Sequence, residues 1–452
     1  MSFPRYPAYK PSGVEWLGEV PEHWVVMALK RVATIQTGLA KGKEVEPEHC
    51  VEVPFLRVAN VQDGFLDLEQ IHTILIPDQS LTRYLLRPGD VLMNEGGDFD
   101  KLGRGAIWNG EIEPCIHQNH VFAVRPHSVS PSWLNAYTSS EQANSYFISR
   151  SKQSTNLASI SSSNLMELLV PVVPDSETTQ ILDFLDRETA KIDALIAEQQ
   201  RLIELLQEKR QAVISHAVTK GLNPDAPMKD SGVEWLGEVP EHWGLTRLKN
   251  ATDLIVDCPH ETPAYAEDGE FLVVRTADLD GGRLRDESDM KRVDVLEYTN
   301  RIRRASLEEH DIVYGREGER WGHAALVPLS SKFCLGQRMM QFRCGPNWEP
   351  EFLMWLLNSR AVYLQGALDT VGATSPHVNV ATIRNYILPA PPRQEQAFIA
   401  GYLANAAAKH DLLIDESKVS SSVLQERRYA LISAAVTGQI DVRGLVPEAS
   451  DA

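Results

Sequence analysis

Apolar and polar residues alternate with a helical period over two long segments of the chain. Residues 176–220 contain no glycine or proline over 45 positions, and Gly221 follows directly. Apolar residues recur there at steps of three, four and seven, which is the spacing of a heptad seam. The pattern predicts one α-helix of roughly 65 Å, because each residue adds about 1.5 Å. The seam residues are Ile181, Leu185, Ile192, Leu195, Leu202, Leu206, Val213 and Ala217.

A second long helix is predicted over residues 394–437, with a weaker seam around a serine cluster at 417–422. A single amphipathic helix would expose its apolar stripe to water, so the two helices are expected to bury each other. A pseudo-two-fold axis across the pair would make them antiparallel. The second seam includes Ile399, Leu403, Ala406, Leu413, Leu424, Leu431 and Ala435.

The rest of the chain shows short β-rich runs bounded by Gly, Pro, Asn and Asp. Breaker-free segments after Pro131 and Pro350 predict short helices among these strands. Each half is therefore expected to contain a compact mixed domain that is rich in β-structure. The predicted strands lie at 53–58, 90–93, 105–108 and 121–124, and at 271–275, 311–314, 324–327 and 340–342.

An exact repeat explains why these patterns occur twice. SGVEWLGEVPEHW occupies residues 12–24 and again 231–243, and weaker matches continue to the ends of both long helices. The chain is therefore predicted to hold two copies of one design. The expected fold class is α+β, with two globular domains joined by two long antiparallel helices in a coiled coil with internal pseudo-two-fold symmetry.

The repeat sets the predicted boundaries. They are 1–28 for an N-terminal scaffold segment, 29–172 for the first mixed domain, 173–222 for the first long helix, 223–247 for the repeated scaffold segment, 248–391 for the second mixed domain, 392–440 for the second long helix and 441–452 for a C-terminal tail.

Composition limits the classes of function. The formal net charge of −18 argues against a simple basic nucleic-acid binder. Four acid-free windows are either ordinary loop and strand surface or faces that a polyanion can approach; they lie at 114–140, 142–166, 321–348 and 370–394. Five cysteines without a CxxC spacing are expected to be reduced structural thiols, with no metal site. The lack of a long apolar span or a signal-peptide core predicts a cytoplasmic protein without a membrane partner.

No catalytic motif stands out. The chain has no phosphate-binding glycine loop, no GxSxG elbow, no HExxH pair and no N/D-P-P-Y/F segment. The two halves agree in the Trp-rich repeat and the helix ends and differ inside the mixed domains, whereas a duplicated enzyme would share its active-site residues. No catalytic residue is therefore predicted. Two alternatives remain: a nuclease or methyltransferase with an unrecognised active site, and a coiled-coil scaffold that binds only proteins.

Several motifs carry a resemblance to a known family. They are GVEWLGEVPEHW opening each half, GDVLMNEGG (89–97), GRGAI (103–107), HQNHVFAVRP (117–126), STNLASISSSNLMELLVPVVP (154–174) and LQEKRQAVISHAVTKGL (206–222). With them the chain resembles the specificity subunit of a type I restriction–modification system. It departs from that family at SETTQIL (176–182) and RQEQAFI (393–399), where the usual Glu-Gln-Arg is missing, and the second mixed domain lacks the Asn-His of the first.

The resemblance implies a function for each part. Each mixed domain would be a target-recognition domain that reads one half of a bipartite, asymmetric site in double-stranded DNA. The coiled coil would set the spacing between the half-sites. Two methyltransferase subunits and two motor–nuclease subunits would be the partners. S-adenosylmethionine, ATP and magnesium would belong to those partners, so no cofactor is expected in this chain.

Candidate DNA-binding residues follow from base chemistry, because Arg and Lys suit guanine and Asn and Gln suit adenine in the major groove. Arg57 and Arg275 occupy matched positions before a turn, where each would contact phosphate or pair with a carboxylate. The candidates in the first mixed domain are Arg57, Lys101, Arg104, Gln118, Asn119, His120, Lys152 and Gln153. Those in the second are Arg275, Arg316, Arg320, Gln337, Arg338 and His377.

Overall fold

A computed structural model describes residues 3–40, 49–97, 102–103, 105–153, 158–318, 320–329, 332–370 and 377–445, except the side chain of Gln153. The chain divides into two compact units. Unit 1 comprises Met1–Gln199 with Val419–Ala452, and unit 2 comprises Gln200–Lys418. Each unit holds one mixed domain together with a part of both long helices.

Unit 1 is built on a four-stranded antiparallel sheet, in the order β4-β11-β7-β9. Further sheets have the orders β10-β5-β6, β12-β13-β8, β14-β3 and β1-β2. The strands are β1 (Tyr9–Pro11), β2 (Glu19–Pro21), β3 (Val25–Ala28), β4 (Ala33–Thr37), β5 (Cys50–Leu56), β6 (His72–Pro77), β7 (Asp90–Asn94), β8 (Gly96–Gly97), β9 (Gly105–Trp108), β10 (Ile116–His117), β11 (Val121–Pro126), β12 (Lys152–Gln153), β13 (Ala158–Ser159) and β14 (Leu169–Val172).

The short helices Pro131–Thr138 and Ser162–Met166 of unit 1 pack on this sheet. Two short helices begin where the sequence supplies a cap: the Ser130 hydroxyl accepts from the Trp133 amide at 3.1 Å, and the Ser140 hydroxyl accepts from the Ala143 amide at 3.2 Å. Trp24 and Trp133 meet edge to face in the core. The helices are α1 (Asp78–Tyr84), α2 (Pro131–Thr138), α3 (Glu141–Arg150), α4 (Ser162–Met166) and then the long α5 (Asp175–Lys220).

Unit 2 repeats the same central sheet, in the order β18-β26-β23-β24. Its other sheets have the orders β22-β19-β25, β17-β27, β15-β16 and β20-β21. The strands are β15 (Met228–Asp230), β16 (Glu238–Pro240), β17 (Gly244–Arg247), β18 (Thr252–Asp257), β19 (Phe271–Val274), β20 (Leu279–Asp280), β21 (Arg283–Leu284), β22 (Arg292–Val293), β23 (Ile312–Gly315), β24 (Ala324–Leu326), β25 (Phe333–Leu335), β26 (Met339–Cys344) and β27 (Ile387–Ala390). The helices are α6 (Leu248–Ala251), α7 (Val295–Arg301), α8 (Pro350–Leu357), α9 (Arg360–Leu368), α10 (Val380–Arg384) and the long α11 (Arg393–Val436).

The predicted α+β class and the two long helices are confirmed. The strands also form where the β-rich runs predicted them. The strands predicted at 53–58 and 271–275 end two residues and one residue early, because Arg57 and Arg275 leave the strand and begin 3₁₀ turns at Val58–Asn60 and Thr276–Asp278. The helices after Pro131 and Pro350 are present with proline in their first turns, where a missing amide hydrogen costs nothing.

Within each unit α5 and α11 run antiparallel. In unit 2, Arg210 Nε lies 2.7 Å from Asp411 Oδ1, and Gly221, at the end of α5, faces Glu395 near the start of α11. In unit 1, Arg428 Nε lies 2.8 Å from Asp193 Oδ1. The start of α5 and the end of α11 both contact Trp24 there, through Glu177 and Gly438.

The predicted seam of α5 is wrong at Leu195 and Leu202, which are 52% and 42% exposed. Ile192 is buried, and from it the three–four spacing continues through the half-buried Ile196 and Gln199 to the buried Ile203. The helix has a fixed number of residues per turn, so the buried stripe keeps its spacing even where it meets a polar residue. In the same way, Leu413 of α11 is exposed and Ile414 takes the buried position.

The repeated Trp-rich segment joins each mixed domain to a long helix. Glu177 in the first turn of α5 is buried and accepts hydrogen bonds from the Tyr6 hydroxyl (2.7 Å) and Trp24 Nε1 (3.0 Å), and His23 Nε2 lies 2.7 Å from it. Burial and the Glu177 hydrogen bond raise the pKa of the Tyr6 hydroxyl. In unit 2 only His242 Nε2, 2.8 Å from Glu395, repeats this arrangement among the described residues.

Three of the five cysteine side chains are buried. All five cysteines lie within the described ranges, and none of them forms a disulfide. Burial raises the pKa of Cys115 and of Cys334 to about 12. Over the described ranges, no helix is both long and apolar enough to span a membrane. In the same ranges, no group of three His, Cys, Asp or Glu side chains is placed to hold a metal ion.

Candidate nucleic-acid interface

A tight turn before β11 presents three of the predicted residues together. The Val121 amide donates to the Gln118 carbonyl at 2.9 Å and closes the turn. The Gln118 and Asn119 amides donate to Leu56 and Leu39 carbonyls, so neighbouring segments fix its position. Gln118 and Asn119 are half-buried, while His120 is exposed. The turn therefore offers amide and imidazole groups to solvent on a rigid backbone.

Glu95 lies beside this turn, directly after β7. Its amide donates to the His120 carbonyl at 2.9 Å, and its Oε2 lies 2.7 Å from His120 Nδ1. Its carbonyl accepts from the Ile160 amide at 2.8 Å. The end of β7, the start of β11 and the end of β13 thus hold a carboxylate next to an imidazole.

Lys152 belongs to the same edge through the small sheet β12-β13-β8. Lys152 pairs with Ser159, and Ser159 pairs with Gly96, the neighbour of Glu95. A Cβ at Gly96 would lie 2.6 Å from the Ala158 carbonyl oxygen, so glycine permits this close approach. The sheet brings Lys152 and the backbone of Gln153 towards His120; Lys101, Arg104 and the Gln153 side chain lie outside the described residues.

Unit 2 repeats this backbone arrangement with other side chains. The Arg316 amide donates to the Arg338 carbonyl at 2.9 Å, and the Val378 amide donates to the Arg316 carbonyl at 3.2 Å. Glu317 and His377 form an isolated antiparallel bridge, as Gly96 and Ser159 do in unit 1. Arg316 therefore matches Glu95, and Arg338 matches His120.

The charged side chains of this second edge are paired with one another. Arg316 is 7% exposed, with Nη2 bonded to Glu317 Oε1 and Nε 3.5 Å from Asp257 Oδ1. Arg338 is exposed, with a φ of 72° and its Nε 3.9 Å from Glu317 Oε2. Arg316 is consequently fixed inside the domain, while the Arg338 guanidinium faces solvent.

The remaining candidates of unit 2 occupy less uniform positions. Gln337 Oε1 accepts from the Thr262 hydroxyl at 2.8 Å, and Arg320 Nη1 donates to the Leu279 carbonyl at 2.7 Å. His377 is half-buried at the bridge to Glu317. Gln337 and His377 thus join the edge formed by Arg316 and Arg338, and Arg320 is held against another segment.

The matched arginines before the 3₁₀ turns differ. Arg275 Nε and Nη2 donate to Asp278 at 2.9 and 2.7 Å, and these hydrogen bonds raise the pKa of Arg275. Asp278 is fully buried. In unit 1, Asn60 takes that place, and Arg57 Nε is buried without a hydrogen bond. Of the two sequence-based possibilities, pairing with a carboxylate holds for Arg275.

Two basic residues of the acid-free windows are also neutralised. Arg125 Nε and Nη2 both lie 2.7 Å from Asp90, and Arg343 Nε and Nη2 lie 2.8 and 2.9 Å from Asp311. Both aspartates are buried. The windows contain no acidic residues, but the fold places Asp90 and Asp311 from outside the windows against these arginines.

Sequence reasoning missed the acids at these edges, Glu95 and Glu317, because base chemistry directs attention to basic and amide side chains. The signal was present in the repeat, since NEGG at 94–97 and GREG at 315–318 carry opposite charges at their second position. Aligning the ends of β7 and β23 would have found it.

Comparisons with known proteins point to one kind of protein. Residues 257–416 match the family model for the type I restriction modification DNA specificity domain. A putative type I restriction enzyme MjaX specificity subunit of Methanocaldococcus jannaschii is 22% identical over 434 residues, covering 94% of this chain and 96% of the relative. Residues 257–416 therefore belong to this specificity-domain family, and the chain as a whole is similar to type I specificity subunits. The resemblance predicted from the sequence motifs is therefore confirmed.

Other type I specificity subunits match this chain over similar lengths. The EcoKI specificity subunit of Escherichia coli K12 is 19% identical, over 94% of this chain and 90% of the relative. A solved chain described under "Structural basis underlying complex assembly and conformational transition of the type I R-M system" has a TM-score of 0.66 at 15% identity, covering 92% of this chain and 98% of that one. That likeness shows a shared fold.

Proposed function

We propose that this chain is the non-catalytic DNA-recognition subunit of a type I restriction–modification complex. The first mixed domain (29–172) contacts one half of a bipartite, asymmetric site in double-stranded DNA, and the second (248–391) contacts the other half. Helices α5 and α11 set the spacing between the half-sites. The repeated Trp-rich segments and the helices form the scaffold on which methyltransferase subunits dock.

One observation carries this proposal: two copies of one backbone present different side chains at matched strand ends. Glu95 and His120 occupy the positions of Arg316 and Arg338, and two backbone hydrogen bonds are the same in both units: the amide of Glu95 or Arg316 donates to the carbonyl of His120 or Arg338, and the carbonyl of Glu95 or Arg316 accepts from the Ile160 or Val378 amide. Direct readout of DNA needs such a change, because each base pair shows its own pattern of donors and acceptors in the major groove. An enzyme duplicated for one reaction would keep the side chains and not only the backbone.

The geometry divides the candidate residues into two groups. The Arg275 and Arg316 side chains pair with carboxylates of their own domain and position the residues around them. Arg57 has no carboxylate at the position of Asp278 and is proposed to contact phosphate. The proposed DNA contacts are Arg57, Gln118, Asn119, His120 and Lys152 in the first mixed domain, and Arg320, Gln337, Arg338 and His377 in the second; Lys101, Arg104 and Gln153 stay in the proposal on their sequence alone.

The partners and cofactors follow from the family. Two methyltransferase subunits and two motor–nuclease subunits complete the complex, and S-adenosylmethionine, ATP and magnesium act in those subunits. The complex works on cellular DNA in the cytoplasm. The net charge of −18 is compatible with this role when partner subunits supply part of the positive surface around the duplex.

The test is to assemble the chain with its methyltransferase and to map methylated positions on genomic DNA by sequencing. Methylation at a single bipartite motif is expected, and none is expected for the methyltransferase without this chain. An unrecognised enzyme would instead show turnover by this chain with cofactor alone. A protein-only scaffold would give a complex whose methylation has no sequence preference. Either result would reject the proposal.

A further inference from the structure

The two mixed domains carry opposite charge at one structural position. Glu95 and Arg316 each follow the second strand from the edge of the central sheet, donate an amide hydrogen bond to the turn before the neighbouring strand, and accept one from the segment after the bridge. Because these two backbone bonds coincide, the acid and the base occupy the same place in the two domains. Such a position is suited to setting what each domain recognises.

The Glu95 contact fixes the hydrogen-bonding character of His120. Glu95 Oε2 can only accept and lies 2.7 Å from His120 Nδ1, so Nδ1 is the nitrogen that carries the proton of this hydrogen bond. In the imidazole tautomer with its proton on Nδ1, the other nitrogen, Nε2, is an acceptor. The His120 side chain is 56% exposed, so this acceptor is available to a ligand.

The matched residue in unit 2 has the opposite character. Arg338 presents a guanidinium that only donates, and its side chain is 45% exposed. Glu317 lies near it, with Oε2 3.9 Å from its Nε. One edge therefore offers an acceptor, and the other offers donors.

We propose that Glu95 is a specificity-determining residue, which holds His120 as a hydrogen-bond acceptor for the exocyclic amino group of adenine or cytosine in the first half-site. Arg338 occupies the same position in the second mixed domain and donates to the guanine O6 and N7 acceptors. Glu95 acts through His120, so it is a positioning residue. The inference rests on the proposed function and adds the class of base group that this edge selects.

The first experiment compares variants in the complex with the methyltransferase. H120A and E95A are each expected to lose discrimination at the same base pair of the first half-site, by about 5- to 100-fold in relative methylation rate. E95Q should retain most of it, because the amide oxygen still accepts from Nδ1. H127A is the matched control: His127 is also exposed, but it lies past the other end of β11. The second half-site should stay unchanged in all four variants.

The second experiment identifies the base group. The experiment uses the base pair at which H120A loses discrimination. Its amino group is removed by placing purine for adenine or 2-pyrimidinone for cytosine in a synthetic duplex. This change should weaken binding of the original complex by about 5- to 100-fold and leave the H120A complex unaffected. Replacing purine N7 by carbon (a 7-deaza base) should have no effect on either.

The outcomes separate this inference from the proposed function. If the original complex methylates no defined motif, the proposed function fails. If it methylates one, but H120A keeps its preference or the 7-deaza base rather than the amino deletion weakens binding, the inference alone is overturned. A failure of E95Q to rescue would assign Glu95 a role other than accepting from His120. Melting curves of the four variants exclude unfolding, and the H120A analogue comparison decides the result should E95A lose stability.

Discussion

Single residues in the matched strands show which charges are structural. Asp311 is 1% exposed and accepts hydrogen bonds from Arg343 Nε and Nη2, from Gln341 Nε2 at 2.7 Å and from the Glu308 amide at 2.7 Å. Asp90 holds Arg125 at the same place in unit 1. Arginines that look free in the sequence are thereby used inside each domain.

Replacing Asp311 by alanine should lower the free energy of unfolding by about 2–4 kcal/mol, because it removes the buried carboxylate that accepts from both Gln341 and the Arg343 guanidinium. Chemical denaturation of the purified chain measures this change. The control is D268A, since Asp268 is exposed in the same unit. Equal stability of the two variants would contradict a structural role for the pair.

The arginines at matched positions, Arg57 and Arg275, give a second test at the scale of single residues. R57A should weaken DNA binding by the complex and reduce the salt slope of log K by about 1, as the loss of one phosphate contact does. R275A should leave the salt slope unchanged, because its guanidinium is already bonded to Asp278. Binding titrations at several salt concentrations distinguish the two, and the same slope for both variants would refute the assignment.

The thiols give a third residue-scale prediction. Alkylation needs the thiolate, and burial raises the pKa of Cys115 and Cys334 to about 12. The folded chain at pH 8 should therefore leave both residues unmodified by iodoacetamide over the time in which a denatured sample reacts fully. Peptide mass spectrometry reads the result, and rapid labelling in the folded state would contradict their burial.

At the scale of elements, the long helices show how much a seam depends on its partner. Both helices end at a glycine with positive φ, Gly221 at 76° and Gly438 at 73°, where an L-residue would be strained. Inside α5 the buried stripe follows helical geometry through Gln199, not the apolar residues Leu195 and Leu202. The ion pairs Arg210–Asp411 and Arg428–Asp193 fix which residues of the two helices face each other.

A heptad inserted at facing positions should lengthen the spacer. Seven residues placed between Gln199 and Gln200 and seven between Ser421 and Ser422 keep both ion pairs in register and add about 10 Å. The gap between the half-sites should grow by about three base pairs, at about 3.4 Å each. Methylation mapping measures the gap. Insertion into α5 alone is the control and should abolish site-selective methylation. If both insertions together left the gap unchanged, the helices would not set the spacing between the half-sites.

At the scale of the whole molecule, the chain enters and leaves each mixed domain through a two-stranded sheet. Strand β3 pairs with β14 from Ala28↔Leu169 to Val25↔Val172, and β17 pairs with β27 in the same way. The Leu29 amide donates to the Leu168 carbonyl at 2.7 Å just inside this sheet. The entry and exit points of a domain therefore lie side by side, and this sheet is the junction at which a domain can be exchanged.

Exchange of residues 29–172 for the corresponding domain of another family member should change one half-site and leave the other half-site and the gap unchanged. A second exchange, of residues 29–168, keeps the native β3–β14 pair and is the control for damage to the junction. Methylation mapping of both chimaeras reads the result. A change in both half-sites, or in neither, would refute the modular assignment.

The sequence by itself determined the duplication, the two long helices, most strands and the resemblance to type I specificity subunits, because these follow from local periodicity and from motifs continuous along the chain. Only the tertiary structure decided which polar and charged side chains face solvent and which are paired inside the domains. Arg316, Arg275 and Arg343 are neutralised, while His120 and Arg338 face solvent. Asp311 and Arg343, or Glu95 and His120, are tens of residues apart, and only strand register places them within hydrogen-bond distance, which composition and spacing along the chain do not encode.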